Sequence, residues 1–117
     1  MARAPDAKLE LVQGTLDMLI LKTLAFGPAH GHGIATQIRQ SSRDVLTVEH
    51  GSLYPALHRL VRQKLIAARW ERAPGAAREY KYYRLTVAGR RALARQESRW
   101  NALVLAIANV MQPAPEA

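Results

Sequence analysis

The stretch from Thr86 to Gln112 limits the fold more than any other part of the chain. Thr86 is a capping residue, Pro113 and Pro115 end the run, and about 26 residues at ~1.5 Å each predict a helix of roughly 39 Å. Within it Leu93, Trp100 and Ile107 share one heptad position, Leu103 and Val110 the position three later, and Val104 and Met111 the next. A helix this long overshoots the body of a 117-residue chain, and so wide an apolar stripe needs a second surface. Another copy of the chain is the economical partner. A dimer interface is therefore expected at Leu93, Trp100, Leu103, Val104, Ile107, Val110 and Met111, with part of the helix packed on the first helix of its own chain.

The length fits one domain. Apolar residues make up 49% and charged residues 22%, a globular balance rather than a disordered one. With no cysteine there is no disulfide framework, no thiolate zinc site and no cysteine nucleophile. Met1 to Lys8 lacks the apolar core of a signal peptide, and Leu16 to Phe26 is too short to span a bilayer and carries Asp17 and Lys22. A cytoplasmic protein without membrane attachment is expected.

The net charge of +8 is segmental: residues 58 to 99 hold twelve bases against three acids, and the remainder holds five bases against six acids. A basic segment in an otherwise neutral domain is the electrostatic footprint expected of a polyanion partner, because each neutralised phosphate releases condensed counterions. Arginine on solvated faces produces the same composition, so position decides.

Residues 1–13 read as an arm. Thr15 is the expected cap of a first helix over 15 to 26, whose Leu16, Leu19, Ile20 and Leu24 form one face before Phe26-Gly27-Pro28 stops it. After His30-Gly31-His32-Gly33, Ile34 and Ile38 mark a short second helix ending near Ser42. In the third helix Leu53, Leu57, Leu60 and Val61 make a buried stripe, and the other side presents Ser52, Pro55, Ala56, Arg59, Arg62 and Gln63. Small residues followed by arginine suit close approach to a DNA major groove. Pro55 allows a start near Glu49 with bent first turns, or a start at Ser52 with proline in the first turn, and a start between the two is expected. Two strands, 65 to 72 and 78 to 85, flank Ala73-Pro74-Gly75-Ala76-Ala77 and predict a basic hairpin in which Tyr83 and Leu85 face the core.

The expected fold class is mainly α with a small β-hairpin: a winged helix-turn-helix over 14–86, a dimerisation helix over 87–112 and a tail over 113–117. Four strings point to a family. Gly14-Thr-Leu-Asp-Met-Leu-Ile-Leu-Lys-Thr-Leu24, His30-Gly-His-Gly-Ile-Ala35, Gly51-Ser-Leu-Tyr-Pro-Ala-Leu-His-Arg-Leu60 and Tyr82-Tyr-Arg-Leu-Thr-Val-Ala-Gly-Arg-Arg91, in this order, resemble the PadR family of transcriptional regulators. The resemblance covers most of residues 11 to 95. It implies a homodimeric regulator of double-stranded DNA, usually a repressor, of the compact subgroup with one terminal helix, some of whose members bind planar aromatic effectors between protomers. Two positions depart from the family pattern. His32 stands where tyrosine is common, and Lys64 stands where glycine often ends the third helix, so either a left-handed turn there is strained by about 1 kcal/mol or the helix ends differently.

The DNA contacts expected are Ser52, Tyr54, Pro55, His58, Arg59 and Arg62 on the third helix, and Arg72, Arg78 and Lys81 on the wing. Trp100 is either core or the wall of an effector site. His30, His32 and His50 lack soft ligands and an adjacent carboxylate, so no metal is expected. Ser52, His50 and Asp44 have no catalytic spacing, and there is no phosphate-cradling glycine loop, so neither enzymatic activity nor a cofactor is expected. A sequence-indifferent architectural DNA-binding protein and a winged-helix adaptor for an acidic protein are the alternatives.

Overall fold

The computed structural model describes residues 13–112. Among these residues the order is α1 (Gln13–Ala25), β1 (Ala29–His30), α2 (Gly31–Ser41), α3 (His50–Arg62), β2 (Ile66–Glu71), β3 (Tyr80–Leu85) and α4 (Val87–Met111). The expected arm and tail lie almost wholly outside them. Gln13 is already helical, so Thr15 sits inside α1 and is not its cap.

The core is built from the apolar faces of α1, α2 and α3. Leu16, Ile20, Leu21 and Leu24 of α1 meet Ile34 and Ile38 of α2 and Leu53, Leu57 and Leu60 of α3, and Ile66, Tyr83 and Leu93 close the cluster. Burial of side chains of this size contributes about 1.5–3 kcal/mol each. Leu93 is thus consumed by its own domain, with 6% of its surface exposed. That corrects its assignment to the dimer stripe: the heptad count is the same for a residue facing its own α1 and one facing a partner. Tyr83 is core as expected, and Leu85 packs on the core's edge.

The hairpin carries a third strand that periodicity did not reveal. β1 pairs antiparallel with β3 through Ala29↔Tyr83 and His30↔Tyr82, giving the order β1-β3-β2. Two residues carry no period, so only the tertiary pairing defines this strand. The wing's tip is a turn in which the Ala76 N–H donates to the Ala73 carbonyl at 2.9 Å. Gly75 there has φ +79°, which with Pro74 before it is the type II pattern.

α3 begins at His50 with Glu49 as its N-cap residue and holds Pro55 inside, a start between the two alternatives and nearer the earlier one. Its other end is a Schellman turn: the Leu65 N–H donates to the Leu60 carbonyl at 3.0 Å and the Lys64 N–H to the Val61 carbonyl at 2.9 Å. Lys64 is left-handed with φ +64°, the strained alternative.

Thr86 caps α4, accepting from the Gly89 N–H at 3.0 Å, while its own hydroxyl lies 3.0 Å from the Leu65 carbonyl and 2.8 Å from that of Lys64. Gly89 lies so close to the Leu65 carbonyl that a Cβ would collide with it. α4 is thereby fastened to the end of α3 and to α1, where Lys22 pairs with Glu97 at 3.1 Å. Beyond Trp100 every described side chain of α4 is exposed, and the molecule is drawn out to 65 × 35 × 22 Å.

Candidate nucleic-acid interface

With Leu53, Ala56, Leu57 and Leu60 buried, the 3.6-residue turn places Gly51, Pro55, His58 and Arg62 along the outward line of α3. All four are exposed. Ser52 and Arg59 fall on one flank, and Tyr54 and Val61 on the other. Ser52 is exposed, and Tyr54 retains 39% of its surface.

Arg59 is not part of the outer face. Its Nη2 donates to Asp17 Oδ1 at 2.7 Å, with only 25% and 17% of the two side chains exposed. Ala56 is wholly buried. Both expectations are corrected by the same cause: α1 packs on the flank of α3, and the buried arc is wider than the leucines alone suggest. Burial raises the Asp17 carboxyl above its ordinary value of 3.8, against the opposing hydrogen bond and charge of Arg59. Among the described residues the Arg59 Nε has no hydrogen-bond partner.

The wing brings Arg72 and Arg78 to the exposed hairpin end. The Arg78 Nε donates to the Tyr80 hydroxyl at 3.3 Å, and its guanidinium sits 5.2 Å from that ring's centroid. Lys81 is half-buried in the floor. Farther down the strands Glu71 accepts from Arg69 at 3.2 Å and from Arg84 at 2.9 Å, so these two arginines share one carboxylate. Tyr54 and His58 of α3 and Trp70, Arg78 and Lys81 of the wing line one cleft of about 850 Å³, which makes helix and wing a single surface.

Sequence reasoning missed what closes this cleft. A run of aromatic contacts joins His30 to Tyr80 and Tyr82, His30 to His32, His32 to His50 and His50 to Tyr54, with ring centroids 5.4 to 6.4 Å apart. A side chain at Gly31 would meet the Tyr54 hydroxyl at 2.8 Å, so this glycine lets α2 and α3 approach. The His-Gly-His-Gly string was the available signal, but read along the chain it marks only a helix start. Among the described residues no group of three His, Cys, Asp or Glu side chains could hold a metal ion, and no helix is long and apolar enough to cross a membrane.

Along the outer part of α4 Trp100, Leu103, Val104, Ile107, Val110 and Met111 expose 42 to 76% of their surfaces. A groove of about 600 Å³ between α1 and α4 is lined by Thr15, Asp17, Met18, Arg99, Trp100 and Leu103 among others.

Residues 20–95 match the model of the transcriptional regulator PadR-like family. The fold is similar to that of a PadR family transcriptional regulator from Eggerthella lenta, with 31% identity over 87% of this chain and 86% of that one and a TM-score of 0.74. A PadR-like transcriptional regulator from Bacillus cereus is 24% identical, covering 87% of this chain and 96% of that one, with a TM-score of 0.75. An uncharacterised protein from Lysinibacillus sphaericus is 24% identical over 91 residues, which are 78% of this chain and 83% of that protein.

Proposed function

Because the chain belongs to the PadR-like family of DNA-binding transcriptional regulators, which are not enzymes, we propose that it acts as a homodimeric repressor covering a pseudo-palindromic operator. The observation that carries this reading is the continuous surface formed by the outward line of α3 and the wing. Pro55, His58 and Arg62 enter the major groove, with Ser52 and Tyr54 at the margins, while Arg72, Arg78 and Lys81 hold phosphates beside it. Arg59 is withdrawn from the contacts and positions α3 on α1.

The exposed stripe from Trp100 to Met111 supports pairing with a second α4, since an apolar patch of this extent on a monomer calls for a partner. A planar aromatic effector is the role proposed for the groove beside Trp100, where an indole face and two apolar side chains, Met18 and Leu103, stand ready to stack on it. In a Trp70→Phe background, saturable quenching of Trp100 by planar aromatics supports that part, and absence of quenching across a broad panel removes it.

Selection of duplexes from a random pool, followed by footprinting and sedimentation, tests the reading. It predicts enrichment of an inverted repeat with half-sites about 34 Å apart and a particle of twice the chain mass. Enrichment of no sequence, or binding as a monomer to one half-site, overturns it.

A further inference from the structure

Histidine is the side chain whose charge ordinarily changes near neutral pH, and all four histidines of the chain stand at the cleft between α3 and the wing. His30, His32 and His58 line it, and His50 meets His32 edge-on at 6.1 Å. Their positions toward a proton differ. The Nδ1 of His30 accepts the Gly33 N–H at 3.1 Å and caps α2, so protonation at that nitrogen breaks the cap. His32 and His50 are exposed, and among the described residues no histidine is ion-paired.

His32 and His50 are the second residue of α2 and the first of α3, where free backbone N–H groups and the positive helix ends favour an anion, and neither first turn holds an acid. The other charged groups around them are balanced: Arg78 and Lys81 face the cleft from the wing beside Glu79. On α3, His58 looks in, and Glu49 precedes His50 without making a side-chain cap bond. Neither helix start carries an acid within its first turn, and the phosphodiester strand of a duplex held by α3 and the wing would bring negative charge to both.

We propose that His32 and His50 bind the phosphates of that strand as imidazoliums, taking up protons from solvent as the DNA is seated. The proposal rests on the DNA-binding reading above and adds a proton to it. Arg78 and Lys81 keep their charge across the neutral range, so the linkage belongs to the histidines. Each proton taken up makes affinity rise by at most about tenfold for each unit fall in pH, and by less wherever the free imidazole is already partly charged or the bound one partly neutral.

The test is the dissociation constant for a duplex selected by the protein itself, measured by fluorescence anisotropy at pH 6, 7 and 8 at fixed ionic strength. The wild type is expected to bind about 10- to 100-fold more tightly at pH 6 than at pH 8. The double variant His32→Gln, His50→Gln should keep the wild-type melting temperature and lose most of this slope, while His58→Gln should retain it. A fixed charge in His50→Lys should raise affinity at pH 8 and flatten the profile. A wild type without slope, or a double variant with the full slope, overturns the proposal while leaving DNA binding intact. No binding to any duplex at any pH overturns the DNA-binding reading together with it.

Discussion

Arg59 of α3 and Asp17 of α1 meet at 2.7 Å, so the helix proposed to face DNA is fastened to the body of the domain by one of its own arginines. The same Asp17 lines the groove under Trp100. One carboxylate therefore touches both the recognition helix and the region proposed for dimer and effector.

Arg59→Ala is expected to lower stability by about 1–3 kcal/mol, the range for a hydrogen bond between charged groups whose partner is left partly buried. It should weaken selected and random duplexes alike, because α3 loses its seat rather than a base contact. Arg62→Ala should melt as the wild type does and lose discrimination instead. Urea unfolding of Arg59→Ala, Asp17→Ala and the double variant checks the pair, with a coupling of at least about 0.5 kcal/mol expected. Strict additivity would show that the two side chains do not act together.

The pH dependence of stability carries the sign of the Asp17 shift. Its carboxyl is raised in the folded state by burial, so the folded protein holds the proton more tightly than the unfolded chain does. The stability contribution is complete below the ordinary carboxylate value and is lost as pH rises through the raised one. Compared with Asp17→Asn, which cannot ionise, the wild type should lose stability as pH rises from below 3.8 toward neutrality. Denaturant unfolding at a series of pH values measures the difference, and a gain over that interval would contradict the assignment.

Lys64→Gly should stabilise the protein by about 1 kcal/mol, since the left-handed turn at φ +64° costs any side chain more than it costs glycine. The backbone bonds of the turn need no side chain, so the gain should appear in the unfolding midpoint and leave DNA affinity nearly unchanged. An unchanged or lowered midpoint would mean that Lys64 is held by something beyond its backbone.

Gly89→Ala should do the opposite. A methyl group there collides with the Leu65 carbonyl and presses on Leu85, and relieving the contact requires α4 to move off the turn that Thr86 stitches to it. A loss of about 1–3 kcal/mol is expected, read as a lower melting temperature. An alanine variant as stable as the wild type would show that α4 does not sit this close.

What could be read along the chain was whatever repeats within one element. The leucines of α3, the Thr86 cap, the Pro-Gly turn and the length of α4 are local, and they led to the winged-helix plan and its extended helix. Relationships between elements were not legible. Arg59 looks outward in a helix count because its acid stands 42 positions away on α1. Leu93 belongs to the same heptad row as Trp100, yet only the packing of α4 on its own domain separates them. β1 is two residues long and exists because Tyr82 and Tyr83 lie beside it. The four histidines are scattered over 29 positions of sequence, and only the meeting of α2, α3 and the wing makes them neighbours.

Sequence-specific DNA binding by the outer line of α3 and the wing is decided by competition binding. A selected duplex and its shuffled counterpart are titrated with wild type and Arg62→Ala between about 50 and 200 mM salt. The wild type is expected to prefer the selected duplex by about 10³ or more, affinity for both should fall by orders of magnitude over the salt range, and Arg62→Ala should give up part of the preference. Equal affinity for the two duplexes, or binding indifferent to salt, would contradict it.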